Sequence, residues 1–177
     1  MLLIFLAVFF VVNGYFIINS FDVWKATYEF HALREPNMDS VWALGNLGVR
    51  AINMLTSALF LVSYSILLYN HKKYDIFALS LAALSLFLIF NKIFSTQYIL
   101  WLLPFFVLSQ SISRKGFYFL EAANIAVFFF TLYWLLASRE QIFLAASNIA
   151  TIARSLVLVY VVYFILKTSK LKYQQIG

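Results

Sequence analysis

The chain has 177 residues, 64% hydrophobic, 20% aromatic and 11% charged, with a mean hydropathy of +0.88; soluble domains carry roughly twice that share of charge, so the composition is that of a membrane protein. The net charge of +6 is spread in short basic groups between apolar runs, which excludes a nucleic-acid-binding patch. With 0 Cys and 2 His there is no disulfide framework, no thiolate metal site and no zinc cluster.

A bilayer core of about 30 Å needs roughly 20 apolar residues in a helix, because lipid offers the backbone no hydrogen-bond partner. Six segments qualify, at about 2–21, 47–69, 75–93, 98–113, 117–137 and 142–166. No low-complexity tract or fixed-period repeat interrupts them. The expected fold is a single all-α domain over 1–177, a polytopic membrane helical bundle of about six transmembrane helices. The first segment lacks a basic start and a small-x-small cleavage site, so it reads as a retained span and not a signal peptide.

The stretch FDVWKATYEFHALREPNMDSVWALGN (21–46) is the most polar in the chain. Trp24, Tyr28 and Ala32 recur every four residues, which predicts a short interfacial helix stopped by Pro36. Asn37 or Asp39 is then placed to cap the helix of the second span. His31 and Arg34 share a helical face. Together they suit an anionic ligand, since the guanidinium fork matches phosphate oxygens; equally, they are solvated charges on a surface helix.

Lys72 and Lys73 follow the second segment, Arg114 and Lys115 the fourth, and Lys167, Lys170 and Lys172 the sixth. Positive loops stay in the cytoplasm, so both termini are expected there. The 22–46 segment, the turn near residue 95 and the stretch 138–141 then face outward. That turn reads NKIFSTQYILWLLP (91–104). As a plain turn, it uses Ser95 and Thr96 as caps and Tyr98 and Trp101 as part of an aromatic belt. Asn91 and Lys92, closing an apolar run, fit that account less well and raise the alternative of a binding site.

Two polar positions interrupt the last segments. Glu121 and Asn124 lie inside the fifth, and Arg154 inside the sixth. A guanidinium at mid-membrane costs a few kcal/mol on insertion scales, so it pairs, snorkels or lines a polar cavity. Either the span begins near Arg154, or Arg154 points inward toward an acid or a lipid phosphate.

NKIFSTQYILWLLP resembles a signature of GT-C type polyprenyl-phosphate-sugar glycosyltransferases, in particular the mannosyltransferase branch. Asn91, Lys92, Ser95, Gln97, Tyr98, Trp101 and Pro104 fit its pattern. YEFHALREPNMDSVWAL is similar to the same branch's His, Arg, acid, Ser motif through His31, Arg34, Asp39 and Ser40, with Asp where the branch has Glu. The resemblance covers residues 20–166 and corresponds to the C-terminal half of such an enzyme. It implies a membrane protein transferring a sugar on the extracytoplasmic side from a lipid-linked donor, with no other cofactor. It implies a donor-phosphate site at Arg34, Lys92 and Arg154, with Asn91 and Gln97 on sugar or phosphate oxygens and Tyr98 and Trp101 on isoprenoid or sugar. The acidic outer loop that supplies the family's base has no counterpart here. The implied partners are therefore membrane lipid, the polyprenyl-phosphate sugar, and a second membrane subunit carrying the missing half. The alternative is a non-catalytic assembly partner or a remnant of such an enzyme.

Overall fold

The structure is a computed structural model that describes residues 2–108, 114–137 and 139–174. Among these residues it is all helical, with seven α-helices and no strand. The chain divides into two compact units, Met1–Arg34 and Glu35–Gly177.

The first unit holds α1 (Leu2–Asn19) and α2 (Phe21–Leu33), bent by 115° at Ser20. The Asn13 side chain of α1 explains the packing of α2. Its Oδ1 accepts from the Trp24 indole at 3.2 Å and the Tyr28 hydroxyl at 3.5 Å. The face that recurs every four residues is thus the one bonded to α1. The next face round the helix carries an exposed Lys25–Glu29 ion pair of 3.2 Å, worth a few tenths of a kcal/mol at most. Helix α2 ends at Leu33 because Arg34 turns extended, two residues before Pro36.

The second unit is built on a long helical hairpin. α6 (Arg114–Leu136) and α7 (Gln141–Gln174) run antiparallel. Walking away from the turn, Tyr133 stacks on Phe143 at 5.7 Å, Thr131 and Ser147 share a hydrogen bond of 2.7 Å, and Arg154 donates to Asn124 at 3.0 Å. Near the far end Gly116 lies against Val161. α3 (Val49–Tyr69), Lys115–Leu136 of α6 and Gln141–Lys167 of α7 are long and apolar enough to cross a membrane, and the bent α1–α2 pair brings the candidates to four.

The third and fourth expected spans differ. α4 (Ile76–Phe90) has 15 residues, about 22 Å, and stops short of a bilayer core. Asp75 starts it, its Oδ1 accepting from Phe77 N and Ala78 N at 3.0 and 2.9 Å. It begins beside the C-terminal half of α7, where Tyr74, Val162 and Leu166 line one cavity. After an irregular stretch, a 3-10 turn (Thr96–Trp101) and the short α5 (Leu103–Leu108) lead back. The Phe106 ring then lies 5.1 Å from Phe117, near the start of α6. Residues 76–108 therefore enter the bundle and return to the end they came from. Their tip meets Asn124 and Arg154, roughly midway along α6 and α7.

The buried core follows from this plan. Leu81, Leu88, Phe94, Ile99 and Leu102 pack on Leu120, Leu158, Val161 and Ile165. In lipid such contacts gain only close packing, since the surroundings are equally apolar. Buried polar bonds are therefore what select this arrangement over others.

Candidate functional site

The tip of the 76–108 hairpin is a run of backbone carbonyls that no helix satisfies, and donors from three other segments meet it. Trp42 Nε1 donates to Ile89 O at 2.9 Å, Ser40 Oγ to Asn91 O at 3.3 Å and Asn37 N to Lys92 O at 3.0 Å. Arg154 Nη2 donates to Phe94 O at 3.4 Å, and Asn124 Nδ2 to Thr96 O at 3.0 Å. Buried backbone carbonyls outside helices persist only where protein or ordered water supplies these partners. Here protein does, and each carbonyl left bare would cost about 1–3 kcal/mol.

Arg154 is the centre of this arrangement. It is fully buried, at 0% exposure. Nη1 donates to Asn124 Oδ1, Nη2 donates to the carbonyls of Asp39 and Phe94, and the guanidinium lies 3.9 Å from the Phe94 ring centroid. Its Nε has no partner among the described residues. Of the two sequence alternatives, the inward-pointing one holds. The acid nearby is Asp39, whose carboxylate attracts the guanidinium and accepts from Thr131 at 3.4 Å, Thr131 in turn sharing a bond with Ser147. Burial holds the Asp39 pKa above the usual carboxylate value, and Arg154 and then Thr131 pull it partly back.

These uses correct the expected caps. Asn37 and Asp39 do not start the second-span helix: Gly48 does, without a side-chain bond. Asn37 donates to Ser95 Oγ at 3.4 Å instead, and Ser40 caps the 3-10 turn Val41–Leu44 by accepting from Trp42 N at 3.4 Å. Ser95 stands at the N-cap position of the 96–101 turn but makes no cap bond there.

A groove of about 250 Å³ opens beside the tip, between α3 and α4. One part is polar, with Asn53, Thr56 and Ser57 of α3 facing Asn91 and Lys92; the rest is aromatic, with Phe60, Phe87 and Phe90. Phe60 and Phe87 meet edge to face, 6.1 Å between centroids. Asn91 is fixed by its own Oδ1, which accepts from Ile93 N at 2.9 Å. No Asp or Glu lines the groove among the described residues.

The expected site residues therefore separate into groups. Asp39, Ser40, Asn91 and Arg154 converge on the tip, and Asn91 and Lys92 also line the groove. Tyr98 and Trp101 stack on each other at 4.5 Å, and Gln97 is exposed. His31 and Arg34 belong to the first unit, His31 in the last turn of α2 and Arg34 at its C-cap. Sequence reasoning placed Asn124 inside the fifth segment without finding its role, and missed the α3 polar trio. The signal for Asn124 was present: counted from the turn at 137–140, it and Arg154 lie equally deep on two antiparallel helices.

No protein-family model, curated protein or solved structure matches the chain.

Proposed function

We propose that this chain is a multi-pass membrane protein that binds a lipid-linked phosphate at the α3–α4 groove, and that it is the donor-binding part of a polyprenyl-phosphate-mannose-dependent glycosyltransferase of GT-C type. The observation that carries the reading is the groove itself: polar side chains and one lysine at one end, aromatic rings along the other. A polyprenyl phosphate has the same division, a charged head on an apolar chain. Lys92 supplies charge to the phosphate, Asn91, Asn53 and Ser57 offer hydrogen bonds to phosphate or sugar oxygens, and Phe60, Phe87 and Phe90 face isoprenoid. Arg154 acts through the tip that it holds and does not touch the donor in this reading. Gln97, Tyr98 and Trp101 keep their sugar or isoprenoid role only by the resemblance.

The six apolar segments are read here as four crossings plus one re-entrant hairpin. A re-entrant hairpin and a pair of crossings both return the chain to its starting side, so the basic residues still put both termini in the cytoplasm and the 137–140 turn outside. In a chain without cysteine, Glu140→Cys then reacts with an impermeant maleimide on intact cells, while Lys72→Cys does not; the reverse pattern overturns the orientation.

Sugar transfer also needs a base to take the acceptor proton and cations to hold the departing phosphate. The groove offers the second and no carboxylate for the first, which favours either a partner subunit supplying the base or a non-catalytic binding role. Two measurements decide. Lys92→Met is expected to leave abundance and insertion unchanged and to weaken polyprenyl-phosphate binding about tenfold, the loss of one charge-assisted contact; unchanged affinity removes Lys92 from the site. A transfer assay with polyprenyl-phosphate mannose, on the chain alone and with a candidate partner, separates the enzyme from the binding protein.

A further inference from the structure

A second groove, of about 380 Å³, lies between the N-terminal end of α6 and the C-terminal half of α7. It is separate in position and in chemistry from the groove at the tip. Its walls are Phe119, Val157, Tyr160 and Phe164, its floor is open because residue 116 is glycine, and Lys115 stands on its lining as the charged member. A Cβ at Gly116 would meet nothing nearer than Val161 Cγ2 at 3.8 Å, so the missing side chain leaves usable space and is not demanded by close helix contact.

We propose that this groove binds one anionic phospholipid, an acyl chain between the aromatic walls and the headgroup phosphate at Lys115. Charge favours this occupant. The same end of the second unit carries Lys167, 5.9 Å from the Tyr163 ring, and the 71–73 turn with Lys72 and Lys73, which packs against α7. Basic residues at helix ends attract anionic headgroups with about 1 kcal/mol per side chain. Shape argues against a second copy of the chain: helices dock in lipid through small residues that let backbones approach, whereas this groove is walled by three bulky rings and suits a flexible chain.

The test uses the full chain in neutral detergent, read by native mass spectrometry with phosphatidylglycerol and phosphatidylcholine of the same acyl chains. The wild type is expected to retain one phosphatidylglycerol in preference to phosphatidylcholine. Gly116→Leu, which fills the groove, is expected to abolish that retention with no change in lipid-free unfolding temperature. Lys115→Gln is expected to lower the preference about fivefold, the value of one lysine beside an anionic headgroup, and to leave phosphatidylcholine binding unaltered. If Gly116→Leu shifts the unfolding temperature, the Lys115→Gln ratio alone decides. Equal retention of the two lipids by the wild type overturns the proposal. So does undiminished phosphatidylglycerol binding in both variants, or a wild-type dimer that Gly116→Leu dissociates without changing lipid retention.

Discussion

The chain contains two apolar helical hairpins that solve one problem in opposite ways. The α6–α7 hairpin turns beyond the apolar parts of its helices, at Arg139 and Glu140, which are both exposed or polar enough to meet water. The α4–α5 hairpin turns inside the bundle, about 22 Å from where it starts. Its tip draws donors from Trp42, Ser40, Asn37, Asn124 and Arg154. The first hairpin thus supplies two of the second's donors, Asn124 and Arg154, and the 37–42 segment supplies the other three. The polar residues in the middle of α6 and α7 exist in that position because another segment's backbone ends there, which is why a guanidinium can be tolerated at the centre of a 27-residue apolar helix stretch.

The strongest way to break this comparison is to remove the donor that serves two segments at once. Arg154→Leu leaves the Phe94 and Asp39 carbonyls and Asn124 without their partner, and is expected to destabilise the fold by about 3–5 kcal/mol, the usual cost of breaking a buried polar pair. Arg154→Lys should recover only part, because an ammonium cannot bridge Asn124 and two carbonyls with a planar fork. Thermal unfolding in detergent and yield in the membrane report both; wild-type stability for Arg154→Leu would mean the tip is not held by protein. Asn124→Leu comes next. It removes one bond to the guanidinium and one to Thr96 O, at about 1–2 kcal/mol for hydrogen bonds between membrane helices. A double variant of Arg154 and Asn124 should cost less than the two separately added, since they serve one network.

Hydropathy made the long hairpin legible, while the short one gives helices shorter than the expected spans for an identifiable reason. Residues 75–93 and 98–113 are apolar for the length of a span, but Asn91 ends α4 with its side chain bonded to Ile93 N, and the helix cannot continue through it. The basic residues gave no warning, because two full-length helices and a hairpin that returns to its starting end both leave Lys72, Lys73 and Lys115 near one end of the bundle. The helix at 21–33 was readable from the spacing of Trp24 and Tyr28. The inward direction of Arg154 was one of two open readings, and only its distance from the turn, shared with Asn124, pointed to a partner. The polar face of α3 at Asn53, Thr56 and Ser57 could not be found from α3 alone, since it gains meaning only from the residues across the groove.

A weaker perturbation sharpens the comparison at the edge of the tip. Trp42→Phe keeps the ring and removes the indole N–H that serves Ile89 O. About 0.5–1 kcal/mol should be lost, with the α6–α7 pair untouched in hydrogen exchange and the end of α4 exchanging faster. A loss spread evenly over both hairpins would show that they unfold as one body.

The smallest effect is also the one with a sign that can be fixed in advance. Asp39 is half-buried where the two hairpins meet, and burial raises its pKa above 3.8 in the folded chain, with Arg154 opposing. Below 3.8 the group is protonated whether the chain is folded or not, and its contribution to stability is complete. As pH rises through the folded pKa, the folded state holds the proton longer than the unfolded one, so stability falls and then levels off. Asp39→Asn keeps an acceptor for Thr131 without the charge and should flatten this part of the profile, remaining as stable at neutral pH as at acid pH. The difference between the two unfolding-temperature profiles isolates Asp39 from every other acid in the chain. If that difference rises with pH in the wild type's favour, attraction to Arg154 outweighs burial, and the long hairpin then supplies the junction with a true ion pair as well as with hydrogen-bond donors.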